Sequence, residues 1–162
     1  MPFHAPADEI RFLIENVTGF AQLRDASANE AVEQDTAAAI LEEAARLCDE
    51  VVAPLQRAGD MSPARLENGI VRTSPGFREG YRRLADGGWV GMIADPEFGG
   101  MGLPATLAMA VHEMLSGACL SLQLNPLMTQ GQIVALEAHA PDEIKRLYLP
   151  KLASGAWTGT MN

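Results

Sequence analysis

Three histidines are the side chains of this sequence best suited to acid–base chemistry or metal binding, and they lie far apart, at His4, His112 and His139. A metal site needs several ligands at close spacing, and no such cluster surrounds any of the three. His112-Glu113 begins like the helical H-E-x-x-H motif of zinc enzymes, but Ser116 stands where the second histidine belongs. No serine lies in a G-x-S-x-G nucleophile elbow. The sequence therefore predicts neither a metal centre nor a nucleophilic triad.

A glycine-rich loop, Gly99-Gly-Met-Gly102, invites comparison with loops that cradle phosphate groups. Its spacing is not G-x-G-x-x-G, and no alternation of strands and helices surrounds it. We therefore interpret the loop as a tight turn that lets helices cross closely.

An unusual mixture of leucines and amides occupies the stretch Leu120–Ile133. The amides are Gln123, Asn125, Gln130 and Gln132. Amides on an otherwise apolar helix need hydrogen-bond partners when they are buried. The pattern fits either an ordinary core helix with an exposed amide side or the wall of a binding pocket, and it leaves both interpretations open.

Composition narrows the classes of partner. The net charge of −9 argues against binding to nucleic acid and to anionic membrane surfaces. Cys48 and Cys119 lie in apolar helical patterns, where cysteine behaves as a small hydrophobe, so we expect no disulfide. The opening residues lack the features of a signal peptide, and no apolar run approaches the length of a membrane span. These features predict a cytoplasmic protein that makes no membrane contact.

The spacing of apolar residues predicts an all-α bundle, because amphipathic helices joined by short loops bury their apolar stripes against each other. The first two helices are expected over about 9–17 and over 30–56, and Pro54 and Gly59 are expected to end the second. A third helix is expected to begin at Ser74-Pro75, and a fourth to run from Pro104 to a break near Ser116-Gly117. The last two are expected over 121–138 and from Pro141. A hairpin-like turn is expected at Asn68-Gly69. Strand-like character is confined to Trp89–Ile93 and Trp157–Met161.

The last residues, Gly155-Ala-Trp-Thr-Gly-Thr-Met-Asn162, leave the helical pattern and begin a strand-like one. Chain ends are usually polar and frayed, and this one is neither capped nor charged. We therefore expect the 162 residues to be the front part of a longer protein.

Several segments in a fixed order resemble the N-terminal part of the acyl-CoA dehydrogenase family. They are Gly88-Trp-Val-Gly-Met92, Pro96-Glu-Phe-Gly-Gly-Met-Gly102 and Lys145-Arg-Leu-Tyr-Leu-Pro-Lys-Leu-Ala-Ser-Gly155. Thr160-Met-Asn162 stands where that family enters its middle β domain. Phe3–Glu15 resembles the N-terminal extension of a bacterial subgroup that includes enzymes similar to 3-methylmercaptopropionyl-CoA dehydrogenase.

The resemblance implies a fold and a reaction. The family has an N-terminal helical domain, a middle β domain and a C-terminal four-helix bundle, and this chain would be the first of these. The family's reaction is α,β-dehydrogenation of an acyl-CoA thioester in fatty acid metabolism, in which a glutamate removes the α-proton and the β-hydrogen leaves as hydride to FAD. The glutamate base comes from a later domain of the family. We therefore assign no catalytic residue to this chain, and we expect the chain alone to bind no flavin and to be inactive.

The resemblance also assigns site residues. An ungapped count back from Tyr148-Leu149 places Gln123, Leu127 and Gly131 on the wall of the acyl-tail pocket, where Gly131 would leave room for a long or bulky tail. Met161 and Asn162 resemble the first residues of the flavin-contacting strand. The resemblance further implies electron-transfer flavoprotein as the electron acceptor and a homodimer or homotetramer for the whole enzyme.

The expected organisation is an N-terminal arm over residues 1–28, a helical domain over 29–156 and the first residues of a β domain over 157–162. An alternative function stays open. A fold of this family can persist after its chemistry is lost, which would make the chain a non-catalytic helical interaction module.

Overall fold

The computed structural model describes residues 3–19 and 32–160. In these residues α-helices surround one long central helix, as the all-α prediction requires. The helices are α1 Ala7–Asn16, α2 Gln34–Leu47, α3 Ala53–Met61, α4 Phe77–Asp86, α5 Ala105–His139 and α6 Asp142–Ala153. The two described strands, β1 Arg65–Glu67 and β2 Ile70–Arg72, form an antiparallel hairpin with its turn at Asn68-Gly69, which confirms the turn expected there.

The N-terminal helix α1 packs against α2 and α5, and it buries Ile10 and Ile14. Asp49 fixes the chain that precedes it. One carboxylate oxygen of Asp49 lies 2.5 Å from Nδ1 of His4, and the other accepts a 2.8 Å hydrogen bond from the amide of Ala5. Because a single ten-residue helix is marginal in water, these contacts explain how α1 keeps its conformation.

The predicted helix over 30–56 continues further than expected. It runs as α2, passes through a π-helical turn at Cys48–Val52 and continues as α3 to Met61. Proline removes one backbone donor and pushes away the carbonyl four residues earlier, so Pro54 was expected to end the helix. The wider π turn just before it accommodates the ring, and the amide of Ala53 bonds instead to the carbonyl of Cys48. The prediction that Pro54 ends the helix was therefore wrong.

The central helix α5 contacts each of the other described helices. Its only residue with non-helical dihedral angles is Cys119, at φ −159° and ψ 89°, which divides it into two halves. The break expected near Ser116-Gly117 therefore lies at Cys119. The sequence predicts no apolar run long enough to span a membrane, yet α5 is long and apolar enough to do so. However, 56% of its most apolar 18-residue window is buried inside the domain. That burial is what a core helix requires.

The segment Trp89–Ile93, predicted to be strand-like, was assigned wrongly. Trp89–Gly91 is a 3₁₀ turn that follows Gly88 at a φ of 76°, and its apolar run reflects burial of Trp89 and Val90. No strand forms among the described residues of the C-terminal segment, up to Thr160. There the amide of Trp157 bonds to the carbonyl of Lys151, which folds the chain back on the end of α6.

Candidate functional site

The three residues assigned to the acyl-tail wall all lie on the second half of α5, but their environments differ. Gln123 is only 1% exposed, whereas Leu127 is 39% exposed and Gly131 is exposed. A Cβ atom on Gly131 would meet nothing within 4 Å. Gln123 therefore belongs to the interior of the domain, and the other two residues lie on its surface. Their role in substrate binding stays a prediction.

Leu127 belongs to a row of exposed apolar side chains along the second half of α5. We call this row the apolar stripe, and its members are Leu120, Leu124, Leu127 and Val134. Their spacing of four, three and seven residues places them on one helix face. Gly131 falls within the same row. A row of large apolar side chains that remains uncovered marks a surface suited to a ligand or to another protein surface.

Behind the apolar stripe, a chain of buried hydrogen bonds joins the two halves of α5 to the loop before it. The side-chain nitrogen of Gln130 donates to the carbonyl of Trp89 at 2.9 Å. The oxygen of the same amide lies 2.9 Å from Nε2 of His112, and the nitrogen of Gln123 lies 2.6 Å from Nδ1 of His112. We call these groups the amide–imidazole network. It crosses the break at Cys119, so it fixes the second half of α5 relative to the first.

The network fixes the protonation of His112. Because the Gln130 nitrogen is committed to Trp89, its oxygen must face His112, so Nε2 carries the proton and donates. Nδ1 is then free to accept from Gln123. Burial lowers the pKa of His112, and the Gln130 hydrogen bond opposes that shift only in part. His112 is therefore neutral near pH 7, which excludes a role as a resident cation.

The network leaves one atom without a partner. The side-chain oxygen of Gln123 is buried and accepts no hydrogen bond from any described residue. The side-chain oxygen of Asn125, which is not part of the network, is also buried without such a partner. Leaving a buried polar group unpaired costs about 1–3 kcal/mol. The sequence signalled the amides but could not identify their partner, because His112 lies eleven residues away, beyond the break.

A cavity of about 540 Å³ opens on another side of the second half of α5. Its lining comes from α3, the hairpin region, α4, α5 and the C-terminal segment: Gly59, Pro63, Ala64, Thr73, Ser74, Phe77, Arg78, Tyr81, Ser121, Leu122, Asn125 and Thr158. The Tyr81 hydroxyl donates to the carbonyl of Gly155, which ties α4 to the C-terminal segment. The cavity could not be predicted from the sequence, because its lining residues come from separate elements and form no single motif.

The segment before Met161 is held against the helices. Lys151 places its ammonium 4.0 Å from the ring centre of Trp157, and Tyr148 meets that ring edge-on at 5.7 Å between ring centres. The amide of Gly159 donates to the Thr129 hydroxyl on α5. Met161 and Asn162, the residues assigned to the flavin, lie outside the described residues.

The cysteines and the glycine-rich loop also lie in the described residues. Cys48 and Cys119 are both buried free thiols, as expected. No group of three His, Cys, Asp or Glu side chains able to hold a metal ion occurs in 3–19 and 32–160. The loop at Gly99–Gly102 is a close turn, where the amides of Gly102 and Leu103 bond to the carbonyls of Ala94 and Met92.

Comparison with known proteins decides the family. The model of the acyl-CoA dehydrogenase N-terminal domain matches residues 34–156. The chain belongs to the acyl-CoA dehydrogenase family. This confirms the resemblance and the all-α fold expected of that family's N-terminal helical domain.

Two relatives in this family illustrate the match. The chain is 41% identical over all 162 residues to a 3-methylmercaptopropionyl-CoA dehydrogenase of Ruegeria pomeroyi, and it covers 28% of that protein. Over 119 residues, 72% of this chain, it is 28% identical to a butyryl-CoA dehydrogenase of Syntrophomonas wolfei subsp. wolfei, of which it covers 19%. The chain thus spans less than a third of the length of either relative.

Proposed function

We propose that this chain is the N-terminal helical domain of a flavin-dependent acyl-CoA dehydrogenase and that it supplies one wall of the acyl-tail pocket. The observation that carries the proposal is the 41% identity that extends over the whole chain to a relative named for oxidation of an acyl-CoA. The relatives support an acyl-CoA substrate, and the dependence on FAD is inferred from the family.

The apolar stripe supports the assignment of the wall. A fatty acyl tail is an apolar chain, and burial of each of its methylene groups contributes about 0.8 kcal/mol. The stripe offers leucine and valine side chains with the open space at Gly131 among them. An acyl tail laid over Leu127 and Gly131 would be covered on its other side by further parts of the protein.

In this proposal the helical domain contributes no catalytic group. The bound flavin would accept the hydride from the β-carbon, and a glutamate from another domain would remove the α-proton. The role proposed for these helices is to bind and orient the tail and to exclude water from it.

The same apolar stripe would also suit a helical interaction module that carries out no flavin chemistry. The two functions differ in whether an acyl-CoA reduces a flavin. Electron-transfer flavoprotein as acceptor, a homodimeric or homotetrameric whole enzyme and a cytoplasmic location are further parts of the proposal.

The experiment is anaerobic titration of the complete protein that contains this domain with straight-chain acyl-CoA thioesters. We expect a yellow protein whose flavin absorbance is bleached by a subset of chain lengths. The 162-residue chain on its own serves as the control, and we expect it to be colourless and inactive. A complete protein that purifies without flavin, or whose flavin no acyl-CoA reduces, would favour the interaction module.

A further inference from the structure

The amide of Gln123 is held in one orientation by the domain itself. Its nitrogen donates to Nδ1 of His112 at 2.6 Å, and His112 is held in turn by Gln130. An amide that was free to turn round would exchange its donor and acceptor ends. In this network a reversal would place the amide oxygen against the acceptor nitrogen of His112, which is unfavourable. The free end of Gln123 is therefore always the acceptor.

That acceptor has no partner among residues 3–19 and 32–160. The Gln123 residue is only 1% exposed, and its side-chain oxygen is buried and unpaired. Buried acceptors in folded proteins normally have partners, so an unpaired one needs an explanation. The neighbouring helical turns lead from Gln123 to the surface, since Leu127 is partly exposed and the space beside Gly131 is open.

We infer that Gln123 is a specificity-determining residue whose side-chain oxygen accepts a hydrogen bond from a hydroxyl or amide N–H group carried by the acyl tail, and that His112 is the residue that positions it. This inference rests on the proposed function. A tail over Gly131 would reach this oxygen if the Leu127 side chain, one helical turn further along α5, turned aside. A site built around a buried acceptor discriminates against an analogue that lacks the donor, because the acceptor is then left unpaired.

The test compares two thioesters on the same complete enzyme. One is an ω-hydroxyacyl-CoA, and the other is the alkanoyl-CoA with a methyl group in place of the hydroxyl, each over a range of chain lengths. The measured quantity is the ratio of their kcat/KM values. This ratio cancels the amount of correctly folded enzyme in each preparation, so a destabilised variant remains informative.

The deciding variant is Gln123→Met, which has nearly the same length and shape but no side-chain acceptor. We expect the ratio to favour the hydroxyacyl thioester in the natural enzyme at one chain length and to fall about tenfold in the variant, which corresponds to about 1.4 kcal/mol. Gln56→Met on α3 is the matched control, because Gln56 is an exposed glutamine and its replacement should leave the ratio unchanged.

Two variants of His112 test the positioning role. His112→Phe removes the acceptor that holds Gln123, so the ratio should fall as it does in Gln123→Met. His112→Gln can still accept from Gln123 and donate to Gln130, so it should restore most of the ratio. A purely structural role for His112 would lower kcat/KM for both thioesters equally and would leave the ratio unchanged.

The possible failures are distinct. In the first, the natural enzyme oxidises the alkanoyl thioesters, but the ratio of the two kcat/KM values is the same in Gln123→Met as in the natural enzyme. That result overturns this inference and leaves the proposed function standing. Oxidation of no thioester by the natural enzyme overturns both. An ordered water that donates to the Gln123 oxygen and stays there when an acyl-CoA binds would also overturn the inference.

Discussion

Gly91 packs directly against the backbone of Ala153, so that a Cβ atom on Gly91 would lie 2.5 Å from the carbonyl oxygen of Ala153. This contact brings the turn after α4 onto the last turn of α6. Real Cβ atoms essentially never approach another atom within 3.0 Å, and backbone cannot move aside as a side chain can. The glycine is required by space, since its own φ angle is not positive.

Replacing Gly91 with alanine should therefore destabilise the domain by about 2 kcal/mol or more, as expected for overpacking against backbone. Gly131→Ala is the matched control, since the added methyl meets nothing within 4 Å and lies inside a helix. That variant should be stabilised by about 0.5–1 kcal/mol. Urea unfolding measures the change in the free energy of unfolding for each variant. Equal changes in the two variants would contradict the close contact between Gly91 and the backbone of Ala153.

The sequence was sufficient to predict the helical elements, because amphipathic periodicity reports which face of each helix is buried. It failed where backbone geometry departs from that periodicity. Pro54 was expected to end a helix, and only the π turn at Cys48–Val52 shows how the chain continues through it. The run Trp89–Ile93 was apolar because it is buried, and periodicity alone cannot distinguish a short buried turn from a strand.

The candidate site was predictable only in part. The mixture of amides and leucines drew attention to the second half of α5, and the family resemblance singled out Gln123, Leu127 and Gly131. The partner of Gln123 was not predictable, because His112 belongs to the first half of α5 and reaches Gln123 only through the change of direction at Cys119. The sequence alone suggests for His112 only the roles of a metal ligand or a catalytic group.

The thiol of Cys48 should be inert in the folded protein. Burial, aided by the charge of Asp49, raises its pKa to about 12, so almost no thiolate is present at pH 8. A disulfide reagent should therefore fail to modify Cys48 at pH 8 until the protein is unfolded. Since Cys119 is buried too, the Cys48→Ala variant is needed to assign the signal. Rapid loss of one thiol from the native protein, absent in that variant, would contradict the burial of Cys48.

Acid should destabilise the domain through His112. Its pKa is lowered in the folded state by burial, so below the ordinary value of 6.5 the unfolded chain takes up a proton that the folded chain does not. Stability contributed by this group is present above pH 6.5 and decreases as the pH falls. At pH 5 the loss is at most about 2 kcal/mol, the limit for a proton taken up only by the unfolded chain.

Carboxylates also titrate in this range, so the informative quantity is the change in free energy of unfolding between pH 7.5 and pH 5. We expect this change to be smaller in His112→Gln than in the natural chain. His139→Gln, which replaces an exposed histidine at the end of α5, is the matched control variant. A His112→Gln chain with the natural pH dependence would show that His112 titrates freely.

The apolar stripe should make the isolated chain self-associate, because no described part of the chain covers it. Replacing Leu124 and Val134 together with glutamate should weaken the association at least tenfold, since burying an unpaired charge costs more than the roughly 1.4 kcal/mol that a factor of ten represents. Met109→Glu is the control, since Met109 is 65% exposed but lies on the first half of α5. Sedimentation velocity over a range of concentrations measures the effect, and equal weakening by the control would place the contact elsewhere.

Under the proposed function, the space beside Gly131 should set the length of acyl tail that the complete enzyme accepts. A leucine there would fill a region where even a Cβ meets nothing within 4 Å, so Gly131→Leu should shorten the pocket without straining the helix. Short acyl thioesters should keep their kcat/KM within a few-fold. Long ones should lose roughly 50-fold if three methylenes are displaced, at about 0.8 kcal/mol each. Ala105→Leu adds similar bulk at an exposed position on the first half of α5 and should leave the length profile unchanged. A uniform loss across all chain lengths would mean that Gly131 supports the fold and does not border the tail.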